Sequence, residues 1–176
     1  MGSVSGRSFG GPGKYIQRAG EIARLAEHIQ PLGSRVFVLI DPMAAKLFGT
    51  AVEQSLQEAG LKATIEIFGG ECCNEEITRV TALARNAKAD VIVGIGGGKT
   101  ADTSKLTAIA TGARIAIVPT IASTDAPCSA IAVRYDNHGV YQESMFLPRC
   151  HYSHRRLYDE PFRSPLSHNA SPMRGS

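Results

Sequence analysis

Apolar positions along this chain fall into two rhythms that alternate. Arg35–Ile40, Val91–Ile95 and Arg114–Pro119 are short continuous apolar runs, several rich in β-branched residues, as expected of strands buried on both faces. Lys62–Phe68 reads as a further strand, broken by Gly69-Gly70. Between these runs the spacing turns helical. Glu21–Gln30 places Ile22, Leu25, Ala26 and Ile29 on one side and stops before Pro31. Ala44–Ala59 predicts a helix with Leu47, Val52, Leu56 and Ala59 on one side and Gly60 as its stop. Asn74 predicts an N-cap, with Glu75 and Glu76 in the electropositive first turn of a helix reaching about Ala89. A last helix covers Thr100–Thr111, closed by Gly112. Ser129–Tyr135 and Val140–Phe146 then flank Asp136-Asn-His-Gly139 as two strands of a hairpin. The order predicts an α/β fold: a Rossmann-like parallel sheet with helices on both faces, plus the hairpin. In such sheets ligands sit beyond the carboxyl ends of the strands, and Asp41, Gly96–Lys99 and Thr120 all follow strand ends. They should converge on one crevice.

Composition narrows this. A chain of 176 residues with 43% hydrophobic content is an ordinary globular domain. No run approaches the roughly 20 apolar residues of a membrane span, and the polar, glycine-rich start lacks a signal core. Cys72, Cys73, Cys128 and Cys150 show no C-x-x-C spacing, which suits reduced thiols in the cytoplasm better than disulfides or a zinc site. Residues 1–148 carry fourteen basic and fourteen acidic side chains, so the net charge of +3 belongs entirely to residues 149–176. A neutral body argues against nucleic acid as the partner.

The chemistry concentrates in Val91-Ile-Val-Gly-Ile-Gly-Gly-Gly-Lys-Thr-Ala-Asp102, a strand, a triple-glycine turn (Gly96, Gly97, Gly98) and a helix opening at Lys99 or Thr100. Glycines permit positive φ and close approach of a ligand to main-chain N–H groups. The helix aims its free N–H groups and its positive dipole end at the same spot, and Lys99 adds a charge: a phosphate grip. Neither familiar phosphate motif fits. A P-loop needs glycine where Val93 stands, and the dinucleotide fingerprint from Gly94 ends on Lys99 instead of glycine. The second polar stretch, Pro119-Thr-Ile-Ala-Ser-Thr-Asp-Ala-Pro-Cys-Ser129, groups hydroxyls and one carboxylate at the same sheet edge; capping of the next segment is its bland explanation.

With those two stretches, Pro12-Gly-Lys-Tyr15 and Phe68-Gly-Gly-Glu71, the chain resembles the glycerol dehydrogenases of the iron-containing, or polyol, dehydrogenase superfamily, over Gly10 to about Arg149. The resemblance implies an NAD-binding domain at 1–149. It implies Gly98 and Lys99, with Gly96 and Gly97, on the NAD pyrophosphate. It puts Asp41 on the adenosine ribose, where its carboxylate favours NAD over NADP. Thr120, Ser123, Ser129, Ile131 and Tyr135 would line the cofactor's path, and Asp125 would accept a hydrogen bond from glycerol. Asp41 as a mere cap, and Ile131 and Tyr135 as sheet packing, are the plain alternatives. The implied reaction oxidises glycerol to dihydroxyacetone with a divalent metal, usually zinc, held by one aspartate and two histidines of a helical C-terminal domain. Homo-oligomers belong to the intact family, an assembly not carried over to this chain.

Residues 150–176 match neither pattern. They hold no apolar face and read as a disordered tail in which His151 and His154 make no metal site. Codons for Ser153-His-Arg-Arg-Leu can encode Val-Ile-Val-Asp in a shifted frame, and those for Ala170-Ser-Pro-Met-Arg can encode Ile-Ala-Asp-Ala, both similar to family segments. The tail is therefore expected to be a frameshift product, and the chain to bind NAD without oxidising glycerol.

Overall fold

The computed structural model describes residues 12–123, 125–135 and 141–145. Four parallel strands, β1 (Arg35–Ile40), β2 (Lys62–Ile67), β3 (Val91–Gly96) and β4 (Arg114–Pro119), form one sheet in the order β2-β1-β3-β4. The helices are α1 (Leu25–Ile29), α2 (Pro42–Glu58), α3 (Asn74–Asn86) and α4 (Gly98–Thr111). β5 (Ile131–Tyr135) and β6 (Tyr141–Met145) pair antiparallel as a separate ribbon. No helix among the described residues is long and apolar enough to cross a membrane. The predicted turn at 136–139, the start at 1–11 and the tail at 150–176 lie outside the described residues.

The period of two in β1 separates two cores. Val36, Val38 and Ile40 join Val91, Val93 and Ile95 under α1 and α2, with Leu25, Ile29, Val52 and Leu56 supplied by the helices. Phe37 and Leu39 face the other way, with Ile92, Ile115 and Ile117, under Val80 and Ala84 of α3 and Ala101 and Ala108 of α4. Strands buried on both faces are the reason those runs are apolar throughout. From β1 the chain crosses by α2 to β2 at one edge, whereas from β3 it crosses by α4, on the opposite face, to β4 at the other edge. The reversal of direction lies between β1 and β3, and a doubly wound sheet opens its crevice at such a point.

Several boundaries differ from those expected. Glu21–Arg24 is a 3-10 turn led by Gly20 in the left-handed region at φ 78°, and only Leu25–Ile29 is α-helical. Leu47 is 61% exposed, not part of the buried stripe. At about 100° per residue it stands roughly 120° from the centre set by Ala44, Phe48, Val52 and Leu56. Cys73 replaces Asn74 as the N-cap of α3: a bridge to Tyr135 keeps Cys73 extended, and the helix begins one residue earlier than expected, at Asn74. That helix ends at Asn86, where Lys88 turns to φ 50° and Ala89 donates back to the Ala84 carbonyl. Helix α4 opens earlier than expected, at Gly98.

Candidate functional site

Three strand ends meet at the reversal point. Asp41 closes β1, its N–H donating to the Ile95 carbonyl at 2.9 Å, and Thr120 closes β4, its N–H donating to the Gly96 carbonyl at 2.9 Å. Gly96 is thus bracketed by Asp41 on one side and Thr120 on the other, and Gly97, Gly98 and Lys99 follow at once. The structure brings all six into one place.

Asp41 is a helix cap. Its Oδ1 accepts from the Ala44 N–H at 2.8 Å, while Pro42 fills the first helical turn. Oδ2 leans over β3, and a Cβ on Gly96 would lie 2.7 Å from it and 2.8 Å from Thr100 Cβ. Gly96 is therefore glycine for steric reasons. Gly94 serves the same end one residue pair earlier, where a Cβ would approach Ser104 Cβ to 2.8 Å. Positive φ, the role first expected of the triple glycine, occurs instead at Gly20, Gly60, Gly70 and Gly112 among the described glycines. Gly97 differs again. Its backbone is extended (φ −82°, ψ −169°), and a Cβ there would meet nothing within 4 Å. It opens onto space at the N-terminus of α4, where no side chain caps the helix. N–H groups left without an internal partner attract an anion.

Lys99 does not stand alone there. Its Nζ donates to Oε2 of Glu71, a residue 28 positions earlier in the loop after β2. The bond from Glu71 raises the lysine's pKa, and the bond from Lys99 lowers that of Glu71. Both side chains are about half exposed.

The hairpin docks on the same helix. Lys105 is fully buried, and its Nζ donates to Asp102 Oδ1 at 3.1 Å and to the Ile131 carbonyl at 2.6 Å. Burial pushes the Asp102 carboxyl up, against the opposing pull of Lys105 and a bond from the Val133 N–H. On the other side Tyr135 donates its N–H to the Cys72 carbonyl at 3.0 Å. The buried Cys72 thiol is pushed up from 9.0 to about 11 by desolvation, so it is a neutral packing group at physiological pH. Ser129 Oγ donates to the Ile131 carbonyl at 3.1 Å. The Asp125 carbonyl accepts from the N–H groups of Cys128 and Ser129, folding this stretch into a turn that leaves Asp125 exposed. Ser123 is exposed in the same loop. Ser129, Ile131 and Tyr135 therefore connect to the crevice through α4 and the loop after β2, in a separate group from the Asp41–Gly96–Thr120 junction.

Glu71, Cys72 and Lys105 escaped the sequence reading as members of this neighbourhood. Glu71 stood in the sequence only as the end of Phe68-Gly-Gly-Glu71, and Lys105 only as a lysine among the small polar residues Asp102, Thr103, Ser104 and Thr107, which the structure buries. Among the described residues no three His, Cys, Asp or Glu side chains cluster as metal ligands.

The family model for iron-containing alcohol dehydrogenase matches residues 12–151. The chain is 47% identical over 137 residues to glycerol dehydrogenase of Escherichia coli, covering 78% of this chain and 37% of that protein. It is 46% identical over 139 residues to glycerol dehydrogenase of Thermotoga maritima, with the same two coverages. Among solved structures, a probable glycerol dehydrogenase from Sinorhizobium meliloti superposes with a TM-score of 0.75 at 52% identity, over 84% of this chain and 41% of that one. The chain spans well under half the length of these relatives.

Proposed function

Because the chain belongs to the iron-containing alcohol dehydrogenase family, we propose that it supplies the NAD-binding part of a glycerol dehydrogenase. The observation that carries this reading is the meeting of Asp41, Gly96 and Thr120 beside the uncapped start of α4, at the point where the sheet reverses. The residues present fit the dinucleotide: Gly97 leaves open space where a side chain would otherwise stand. Gly96, Gly97, Gly98 and Lys99 would receive the pyrophosphate on N–H groups and one ammonium. Asp41 keeps Oδ2 beyond its capping bond, and that oxygen would accept from the adenosine ribose and disfavour a phosphate there. Thr120, Ser123, Ser129, Ile131 and Tyr135 would line the remaining path.

Bound NAD supplies the hydride acceptor for oxidation of a secondary alcohol. This chain's own residues orient and select. Asp125 would accept a hydrogen bond from a glycerol hydroxyl, and its exposed position leaves it open to do so. The described residues do not furnish a ligand set for zinc or another divalent ion, and no step is assigned to one. The free thiols Cys72, Cys73 and Cys128 accord with the reducing cytoplasm. We place the domain boundary near residue 149.

Calorimetric titration with NAD, followed by glycerol and zinc, tests the proposal. Saturable NAD binding with much weaker NADP binding is expected. A flat NAD titration on a folded chain would remove the reading.

A further inference from the structure

Helix α4 presents Lys99 as its second residue, beside the uncapped N–H groups, yet the ammonium points to a carboxylate of this same chain. Glu71 is not a loosely placed partner. Gly70, at φ 101°, turns the chain after β2 so that Glu71 overhangs α4. Its Oε1 accepts from the Cys72 N–H at 3.1 Å, and Cys72 is itself buried and bonded to Tyr135. The carboxylate is thus held from its own backbone while Oε2 reaches Lys99. The pair remains wet: the two side chains are 56% and 48% exposed.

We propose that Glu71 is a built-in counter-ion that competes with the pyrophosphate for Lys99, and so limits how tightly the crevice takes an anion. The inference rests on the reading of the crevice given above. A carboxylate and a phosphate oxygen offer the ammonium the same kind of acceptor, so anion binding at the α4 terminus is an exchange in which Lys99 leaves Glu71. The freed carboxylate then faces the bound anion at close range, an added repulsion. An exposed pair of this kind shifts an equilibrium by no more than about fivefold. The exchange is accordingly cheap, and the occupant of Lys99 changes with ligand concentration and salt.

Calorimetry with inorganic pyrophosphate and with NAD, at low and high ionic strength, tests this on the wild type, Glu71→Gln and the control Glu58→Gln. Glu58 lies exposed in the last turn of α2 and removes the same charge far from α4. Glutamine at 71 keeps an oxygen for the Cys72 N–H, and unchanged thermal unfolding would verify that the fold is retained. Glu71→Gln should bind both probes about two- to fivefold more tightly at low salt. The gain should shrink as salt rises, and Glu58→Gln should match the wild type. Equal or weaker binding by Glu71→Gln, with the wild type binding normally, overturns the competition and leaves the crevice reading intact. Absence of binding to either chain removes the crevice reading and this inference together.

Discussion

Two lysines six residues apart on α4 show how one helix can hold a movable part and a fixed one. Lys99 stands in the first turn, half exposed, with an acceptor on a neighbouring loop. Lys105 lies two turns further on with no exposure, bonded to Asp102 and to the backbone of β5. Ion pairing at a surface is worth about 0–1 kcal/mol, because water competes for both partners. Breaking a buried pair costs about 3–5 kcal/mol, because the remaining charge has nowhere to go. The same residue type therefore holds a weak, water-exposed pair at one end of the helix and acts as a rivet at the other.

The largest effect should come from removing the rivet. Lys105→Met is expected to destabilise the chain by about 3–5 kcal/mol in urea unfolding, since it strands the Asp102 carboxylate and frees the Ile131 carbonyl. Replacing Asp102 by Leu in the same chain should recover much of that loss. A Lys105→Met loss below about 1 kcal/mol would make the two lysines equivalent and end the contrast.

A smaller effect extends the buried side of the comparison. Cys72 carries a thiol raised from 9.0 to about 11. A folded pKa above the unfolded one means stability that is complete below about pH 9 and lost as pH rises through about 11, on the order of 2 kcal/mol in all. Thermal unfolding between those pH values should show the decline, and Cys72→Ala should flatten it. An alkaline limb identical in both chains would mean that this junction is wetter than its burial indicates.

The smallest effect on stability should be at Lys99. Lys99→Met should change unfolding free energy by less than about 1 kcal/mol while weakening NAD in calorimetry. Loss of stability comparable to that of Lys105→Met would show that the Glu71 pair braces the fold.

The four-stranded sheet and the convergence of its strand ends could be read from sequence because both follow from local pattern. Runs such as Val36–Ile40 announce burial on two faces, and βα order alone sends Asp41, Gly96 and Thr120 to one edge. The glycine-rich turn was found for a reason only partly right: Gly96 makes room for Asp41 Oδ2 and Thr100, with no positive φ involved. What stayed hidden depends on long-range geometry. Glu71 reaches Lys99 only after Gly70 redirects the loop, and Cys73 displaces Asn74 as a cap only because Tyr135, 62 residues later, pairs beside it. Leu47 misled because it was grouped with Val52, five positions on and about 140° away around the helix.

Gly94 and Gly96 carry a mechanical consequence. They alternate along β3 beneath Ser104 and Thr100, leaving the first two turns of α4 resting on bare main chain. Any side chain added beneath would act as a wedge, tilting the helix away from the sheet and carrying its N-terminus out of line with Asp41 and Thr120. The set of the α4 N-terminus against the strand ends at Asp41 and Thr120 is thus governed by the thickness of a packing gap one hydrogen atom deep at each glycine.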